Sequence, residues 1–309
     1  MGRVAVYYDG WHSLLTPKKV LGFTGPEHQW VDIDPLKMAL RTAAAVHHDL
    51  ALTRFAFRIP RIEDNELAHR YLRAKVAAMQ GDGIRVDYDL LRERPGEIPG
   101  TVRMKEVSVD VDIGCRVLND ITRTAVDGQP LSAVIIFTGD QDLENLGNFA
   151  KSQVQTLQRA GMMRGIDFEV YAPTPEDLQS AIRNAHVLRF NARDYARCFD
   201  PRNYITPARE ALEQAHQQEL ADIRRSMMTR NGVSLRELKQ PEGLLVGEFV
   251  DVRTRYCAFR TEANEIAIFA RNRLGLKPVL GRQYALARDG NVWSETARGR
   301  DAEKSVTQR

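Results

Sequence analysis

Short apolar runs alternate with longer amphipathic segments over the first 200 residues of the chain. The runs have the length and the β-branched or aromatic content of buried strands, and the segments between them repeat apolar residues at helical spacing. Strands are predicted at 4–8, 52–59, 84–91, 133–137, 167–171 and 187–190. Helices are predicted at 34–48, 64–80 and 143–160 and, as a short helix, after Pro175, with a further apolar-periodic segment at 107–121.

This alternation predicts an α/β domain with a doubly wound, mostly parallel sheet over residues 1–200. Strands that are separated by helices of about 10–15 residues are joined by right-handed crossovers, which place helices on both faces of the sheet. In such sheets, ligands bind at the carboxyl ends of the strands, near the point where the strand order reverses. The ends of the predicted strands are therefore the place to look for functional side chains.

Residues 201–309 show a different pattern. A long polar helix from Thr206 to Arg230 predicts a helical linker at 201–232. The elements predicted after it are a helix starting at the capping box Ser234–Glu237, a strand at 244–252, a helix at 262–274 and a hairpin at 283–293. We therefore predict a small basic α+β module at 233–309 with a frayed C-terminus. Its order of elements fits a winged-helix-like nucleic-acid module and a structural or dimerising cap equally well.

Composition excludes several classes of protein. Apolar residues make up 43% of the chain and charged residues 28%, which is ordinary for a globular protein. No apolar run approaches the ~20 residues that a membrane-spanning helix needs, and the N-terminal apolar stretch is too short for a signal peptide. The three cysteines are widely spaced and form neither a disulfide framework nor a zinc pattern. We therefore expect a cytoplasmic protein that does not enter a membrane.

The net charge of +3 is unevenly distributed along the chain. Residues 1–200 hold 25 Lys and Arg against 27 Asp and Glu, whereas residues 201–309 hold 19 against 14. An acidic front and a basic tail would suit a carboxylate site joined to a module that contacts nucleic acid. Scattered solvated charge explains the difference equally well.

Aspartates stand where three parts of the predicted sheet should present them to a ligand. They are Asp9 after the first strand, Asp110 and Asp112 in the segment 107–121, and Asp140 and Asp142 after the strand at 133–137. Carboxylates that converge at one edge of a sheet repel one another, and a divalent cation relieves that repulsion. Sites made of oxygen ligands suit Mg²⁺ or Mn²⁺. The competing interpretation is structural, with Asp9 in a turn and Asp140 as a helix N-cap.

The segments that contain these aspartates resemble the motifs of a nuclease family. They are Tyr8-Asp9-Gly10-Trp11-His12, Val109-Asp110-Val111-Asp112-Ile113-Gly114 and Phe137-Thr138-Gly139-Asp140-Gln141-Asp142. In order and spacing they look like the three motifs of the NYN domain, the LabA-like branch of the PIN-like nuclease superfamily. The family patterns are roughly D-x-x-N, K-G-V-D-V and S-G-D-x-D-F. The resemblance covers about residues 1–200 and says nothing about the tail.

The resemblance implies a PIN-like fold and a metal-dependent ribonuclease that cleaves RNA internally. The implied catalytic residues are Asp9, Asp110, Asp140 and Asp142. The implied ligands of Mg²⁺ or Mn²⁺ are Asp9 and Asp140, together with Asp110 or Asp112. The candidate contacts to the RNA substrate are His12, Arg103 and Lys105.

The chain departs from the family pattern in all three motifs. His12 stands where the family usually has Asn, and Leu143 replaces the usual Phe. Val107 occupies the position of the motif lysine, and Lys105 lies two residues further back. An alternative register of the second motif aligns Ser108 with the motif aspartate. The middle ligand is therefore less well defined than the outer two.

These departures leave a second class of function open. The alternative is a catalytically weak NYN-type protein that binds RNA or a protein partner as a regulator. A doubly wound phosphatase or phosphotransferase is less favoured, because Asp9 lacks a second aspartate two residues further on. RNA is the expected partner in the leading interpretation, and a homodimer is also compatible with the sequence.

Overall fold

The structure is a computed structural model, and its described residues fall into two compact units, Met1–Ala208 and Arg209–Arg309. Each unit has its own hydrophobic core. The described residues are 2–22, 32–95, 102–105, 109–176, 178–229, 236–238, 244–261, 263, 265–289 and 292–296.

The first unit is built on a six-stranded sheet in which all strands are parallel. Its strands are β1 (Gly2–Asp9), β2 (His48–Ile59), β3 (Arg85–Leu90), β6 (Ala133–Phe137), β7 (Glu169–Pro175) and β8 (His186–Phe190). A separate antiparallel ribbon consists of β4 (Arg92–Pro95) and β5 (Val102–Lys105). The strand order of the sheet is β3-β2-β1-β6-β7-β8, so the order reverses between the central strands β1 and β6.

Helices pack on both faces of this sheet. They are α1 (Gly10–Val20), α2 (Pro35–Ala45), α3 (Glu66–Gly81), α4 (Val109–Val126), α5 (Leu146–Arg159) and α6 (Ala192–Arg197). Side chains alternate along β1, so that Val4, Val6 and Tyr8 pack with α1, α2 and α3, while Ala5 and Tyr7 pack with α4 and α5. The prediction of a doubly wound α/β domain is confirmed.

Three local predictions in the first unit are wrong or incomplete. The helix expected after Pro175 is absent from the described residues, which form turns up to β8. Helix α1 was not predicted, because it contains Pro17 and lacks a clear apolar period. The ribbon β4–β5 was not among the predicted strands, since each of its strands is only four residues long.

Gly10 allows α1 to start directly against β2. A Cβ atom at this position would lie 2.3 Å from Phe57 Cβ and 2.9 Å from the Ala56 carbonyl oxygen. We expect Gly10→Ala to lower the free energy of unfolding by about 1–3 kcal/mol, since backbone and a buried ring must shift. Gly81→Ala is the control, because nothing lies within 4 Å of a Cβ there. Urea unfolding of both variants checks this, and equal effects would contradict the close approach.

The second unit is an antiparallel sheet with a helix against it. The strand order is β14-β13-β10-β11-β12-β9, and β9 alone pairs in parallel. The elements are α7 (Ile205–Thr229), β9 (Arg236–Glu237), β10 (Leu244–Val252), β11 (Tyr256–Thr261), β12 (Glu265–Ala270), β13 (Gln283–Asp289) and β14 (Val292–Glu295). Ile223 and Met227 of α7 are buried against Ala258 and Ile266. The helix predicted as a linker therefore forms part of the core of this unit from its middle onward.

The α+β prediction for residues 233–309 is wrong in two elements. The capping box predicts a helix at Ser234–Glu237, but Arg236–Glu237 form the strand β9. The segment 262–274 contains β12 and a 3₁₀ turn instead of a helix, because Tyr256–Arg260 offers it a strand partner. The hairpin at 283–293 is confirmed as β13–β14. The described residues after α7 contain no α-helix, so they give the winged-helix interpretation no support.

None of the described helices combines the length and the apolar character that crossing a bilayer requires.

Candidate metal centre

The central strands of the sheet end side by side at its carboxyl edge. Tyr8 of β1 pairs with Phe137 of β6, so Asp9 and Thr138 are the next residues of two neighbouring strands. The strand order reverses between these two strands, which is where doubly wound sheets bind their ligands. The N-terminus of α4, with Asp110, comes to the same place.

Three of the predicted aspartates form a cluster at this edge. Carboxylate oxygens of Asp110, Asp140 and Asp142 lie within 4.8 Å of one another. Among the described residues, neither Asp140 nor Asp142 forms an ion pair with Lys, Arg or His. Three carboxylates so close together repel one another, and this repulsion favours a bound cation.

Local backbone structure holds each member of the cluster. Asp140 caps the 3₁₀ turn Gln141–Leu143, and its Oδ1 accepts a hydrogen bond from the Asp142 backbone N–H at 2.8 Å. Asp110 lies in the first turn of α4, where the positive end of the helix dipole stabilises a carboxylate. The N-cap role of Asp140 is therefore real, and it coexists with membership of the cluster.

Asp9 is not one of the three members of the cluster. Its Oδ1 accepts from the His12 backbone N–H at 3.3 Å, so it caps α1, and its Oδ2 accepts from Thr138 Oγ1 at 3.1 Å. Thr138 Oγ1 in turn accepts from the Asp140 backbone N–H at 3.0 Å. Asp9 is thus connected through Thr138 to the loop that carries Asp140, and its prediction as a metal ligand stays a prediction.

The environment of Asp9 raises its pKa from an ordinary value of 3.8 to about 6. Burial is the main cause, since only 7% of the residue is exposed, and the charges of Asp110 and Asp140 add to it. The two hydrogen bonds that the carboxylate accepts act in the opposite direction. The negative charges of the cluster therefore raise the pKa of Asp9, although Asp9 is not one of its three members.

Asp112 forms an ion pair outside the cluster. Its Oδ2 accepts from the guanidinium of Arg58, a residue that is itself 6% exposed, at the end of β2. Trp11 Nε1 donates to the Arg58 carbonyl oxygen at 2.9 Å and ties that strand end to α1. Of the two alternatives for the middle ligand, Asp110 belongs to the cluster, whereas Asp112 forms an ion pair with Arg58.

The His12 imidazole packs against the Gly139 backbone and lies beside the Thr16 hydroxyl. Burial lowers its pKa to about 4, so the ring is neutral at pH 7. The ring also lines a cavity of about 20 Å³, which has room for roughly one water molecule. His12 therefore packs against the loop at Gly139, and its prediction as an RNA contact stays a prediction.

The remaining candidates, Arg103 and Lys105, are on β5. The backbone of this strand pairs with β4, but the side chains of Arg103 and Lys105 lie outside the described residues. Their prediction as RNA contacts therefore stays a prediction. Lys105 precedes Asp110 by five residues.

One residue of this region was missed by the sequence analysis, and for another, Arg58, the sequence allowed a phosphate contact or a salt bridge without giving the partner. Thr138 lies inside the third motif, so its position next to Asp140 could have been noticed from the sequence. Arg58 could not have been assigned to Asp112, because 54 positions separate them and only the fold brings them together.

The raised pKa of Asp9 predicts a pH dependence of stability. Because the folded-state pKa of about 6 lies above the ordinary 3.8, the folded state binds more protons between about pH 4 and pH 6. In EDTA, the stability of the protein should therefore contain a component that falls as the pH rises through this window, by about 3 kcal/mol. Asp9→Asn should remove that component. Urea unfolding at several pH values checks this, and parallel curves for the two proteins would contradict it.

Comparison with protein-family models and with curated proteins gives no match to this chain. Among solved structures, the chain is similar to a protein of unknown function from Vibrio parahaemolyticus, with 14% sequence identity and a TM-score of 0.36. The similarity covers 63% of this chain and 95% of that chain. A likeness of this size carries no functional information.

Proposed function

We propose that the first unit is a metal-dependent ribonuclease with a PIN-like fold, which hydrolyses phosphodiester bonds of RNA. The observation that carries the proposal is the cluster of Asp110, Asp140 and Asp142 at the switch point of a doubly wound sheet. The choice of RNA rests on the resemblance of the three aspartate segments to the NYN motifs.

The donor set fits a hard divalent cation. All three side chains offer carboxylate oxygens, and the described residues place no nitrogen or sulfur ligand in the cluster. Carboxylates at a partly open edge, where a cation can keep water ligands, suit Mg²⁺ or Mn²⁺. When bound, such a cation polarises a phosphoryl oxygen and lowers the pKa of water.

The residues of the site would have different roles. Asp110, Asp140 and Asp142 would hold the cation, while Asp9 and Thr138 fix the backbone of the loop that presents Asp140. His12 cannot act as a general acid near neutral pH, since its pKa is lowered to about 4 by burial. Arg58 neutralises Asp112, which keeps a fourth negative charge away from a phosphate at the same edge.

The test is RNA cleavage by the full chain with Mn²⁺, Mg²⁺ or EDTA, beside an Asp140→Asn control. The proposal expects cleavage that requires the cation and is lost in the variant. Because a trace of contaminating nuclease would not respond to Asp140, the variant also controls for purity. Salt-dependent RNA binding without cleavage would favour the catalytically weak regulator instead. If the protein neither cleaves nor binds RNA, both functions, the ribonuclease and the RNA-binding regulator, are overturned.

A further inference from the structure

Helices α4 and α5 lie side by side on one face of the sheet and run in the same direction. Gln153 Nε2 of α5 donates to Thr122 Oγ1 of α4 at 2.9 Å. Nearer the aspartate cluster, Leu146 Cδ1 of α5 lies 4.0 Å from where a Cβ atom would be at Gly114 of α4. Both contacts join residues about 31 positions apart, which gives the register of the two helices. Helix α4 begins at the cluster and α5 begins shortly after Asp142, so the boundary between the helices leads away from the cluster.

The side of α4 that faces α5 carries a row of apolar residues near the cluster. Val111, Cys115 and Leu118 precede Thr122 by eleven, seven and four positions, which is the spacing of one helix face. Val111 directly follows Asp110 and is 63% exposed, Cys115 is exposed, and Leu118 is half-buried. The row therefore starts at the cluster and continues along α5.

Phe149 of α5 extends this row from the neighbouring helix. It precedes Gln153 by four positions, so it lies on the side of α5 that faces α4, one turn nearer the carboxyl edge of the sheet. The register of the two helices places it level with Leu118. Phe149 is 60% exposed, and no other aromatic ring of the described residues packs on it. We call Val111, Cys115, Leu118 and Phe149 the apolar patch.

The apolar patch lies close to the cluster. Leu118 follows Asp110 by eight positions, which is about 12 Å along a helix axis. A helical side chain leans toward the N-terminus of its helix, so the Phe149 ring covers the turn before it, on the side of Asp142. The first few nucleotides of a strand held at the cluster would therefore reach the patch.

The combination of the apolar patch with three carboxylates fits an amphipathic ligand. Exposed apolar residues that are scattered singly are normal, but several that adjoin one another and a charged site indicate binding. A nucleotide matches both parts, since it joins a charged phosphate to a base whose flat face stacks on aromatic side chains. The phosphate suits a cation at the cluster, and the base suits the patch, which contains no charged group. The apolar face of a protein partner would leave the cluster without a matching group.

We propose that the apolar patch binds an unpaired base of the RNA substrate, which stacks on Phe149. The inference rests on the proposed function and names single-stranded RNA as the substrate class. In a duplex the faces of the bases are covered by their neighbours, so the patch discriminates against double-stranded RNA.

The test measures the binding of a labelled single-stranded RNA by the Asp140→Asn protein in EDTA, so that the strand stays intact. Phe149→Ala should weaken this binding about 5–150-fold, which is the effect of losing one stacked base. Phe149→Trp keeps an aromatic face and should leave most of the affinity. With the same RNA annealed to its complement, Phe149→Ala should have no effect on binding.

The matched control is Phe199→Ala. Phe199 is 48% exposed, and its backbone pairs with Ile33, which packs with α2 on the other face of the sheet. The proposal is overturned if Phe199→Ala weakens binding as much as Phe149→Ala does, if Phe149→Ala has no effect or weakens duplex binding equally, or if the protein does not bind single-stranded RNA. A change of oligomeric state in Phe149→Ala, measured by sedimentation, would also overturn it, since the patch would then be a contact between copies of the chain. Cleavage by the chain with intact Asp140 is scored separately in Mn²⁺, so the stacking residue can fail while the nuclease stands.

Discussion

Asp140→Asn is expected to lower the affinity for Mn²⁺ by at least about 100-fold and to leave the metal-free protein at least as stable as the unaltered chain. Loss of residues that only orient a ligand already costs 10–100-fold in metal affinity, and Asp140 is one of three carboxylates within 4.8 Å. In the metal-free protein, the same change removes repulsion among three close charges. Stability and metal binding should therefore respond in opposite directions.

Thermal unfolding with and without Mn²⁺ measures both effects. At 100 times its dissociation constant, the cation should stabilise the unaltered chain by about 2.7 kcal/mol, and at the same concentration this gain should fall to about 0.4 kcal/mol or less in Asp140→Asn. Asp127→Asn is the control, because Asp127 is exposed at the other end of α4 and pairs with Arg123. Equal stabilisation of all three proteins by Mn²⁺ would mean that the aspartate cluster does not hold the cation.

Arg54→Met is expected to lower the free energy of unfolding by about 3–5 kcal/mol, because it leaves the buried Asp120 carboxylate with only the more distant guanidinium of Arg85, 3.9 Å away. Asp120 is 1% exposed, and it accepts from Arg54 Nη2 at 2.9 Å, from Arg54 Nε and from the Tyr7 hydroxyl at 3.1 Å. These hydrogen bonds connect α4 to β1 and β2.

The control for this variant is Arg116→Met, whose ion pair with Asp87 is partly exposed and should be worth about 1 kcal/mol or less. Urea unfolding of both proteins gives the comparison. The double variant Arg54→Met with Asp120→Leu should be more stable than Arg54→Met alone, because it removes the buried charge as well. If Arg54→Met and Arg116→Met cost the same, the buried pair has no special weight.

The fold of the first unit was predictable because its elements carry strong local signals. Strand β6 occupies 133–137 as predicted, and Asp34 with Pro35 marks the start of α2, where Asp34 Oδ1 accepts from two backbone N–H groups. The prediction of a helix at 262–274 was wrong because the local signal there is ambiguous. A short apolar run such as Ile266–Ala270 fits a strand or a helix, and the pairing with β11 decides between them.

The sequence predicted which aspartates lie at the carboxyl edge of the sheet, but it predicted less well which side chains they contact. Asp110, Asp140 and Asp142 follow from their places after strands and at a helix start. That Asp112 binds Arg58 and that Asp9 acts through Thr138 depends on side chains far apart in the sequence. The metal, RNA, a homodimer and the cytoplasmic location stay predictions.

The strand order also determines when the aspartate cluster can form during synthesis of the chain. Strand β1 is made first, yet its neighbour β6 follows about 120 residues later, and Asp140 and Asp142 come later still. Contacts between parts of the chain so distant in sequence form late in folding. A growing chain on the ribosome therefore exposes Asp9 and Asp110 without a complete aspartate cluster. If the cluster cuts RNA, the message and the ribosome that produce it are spared until the sheet has closed around β1.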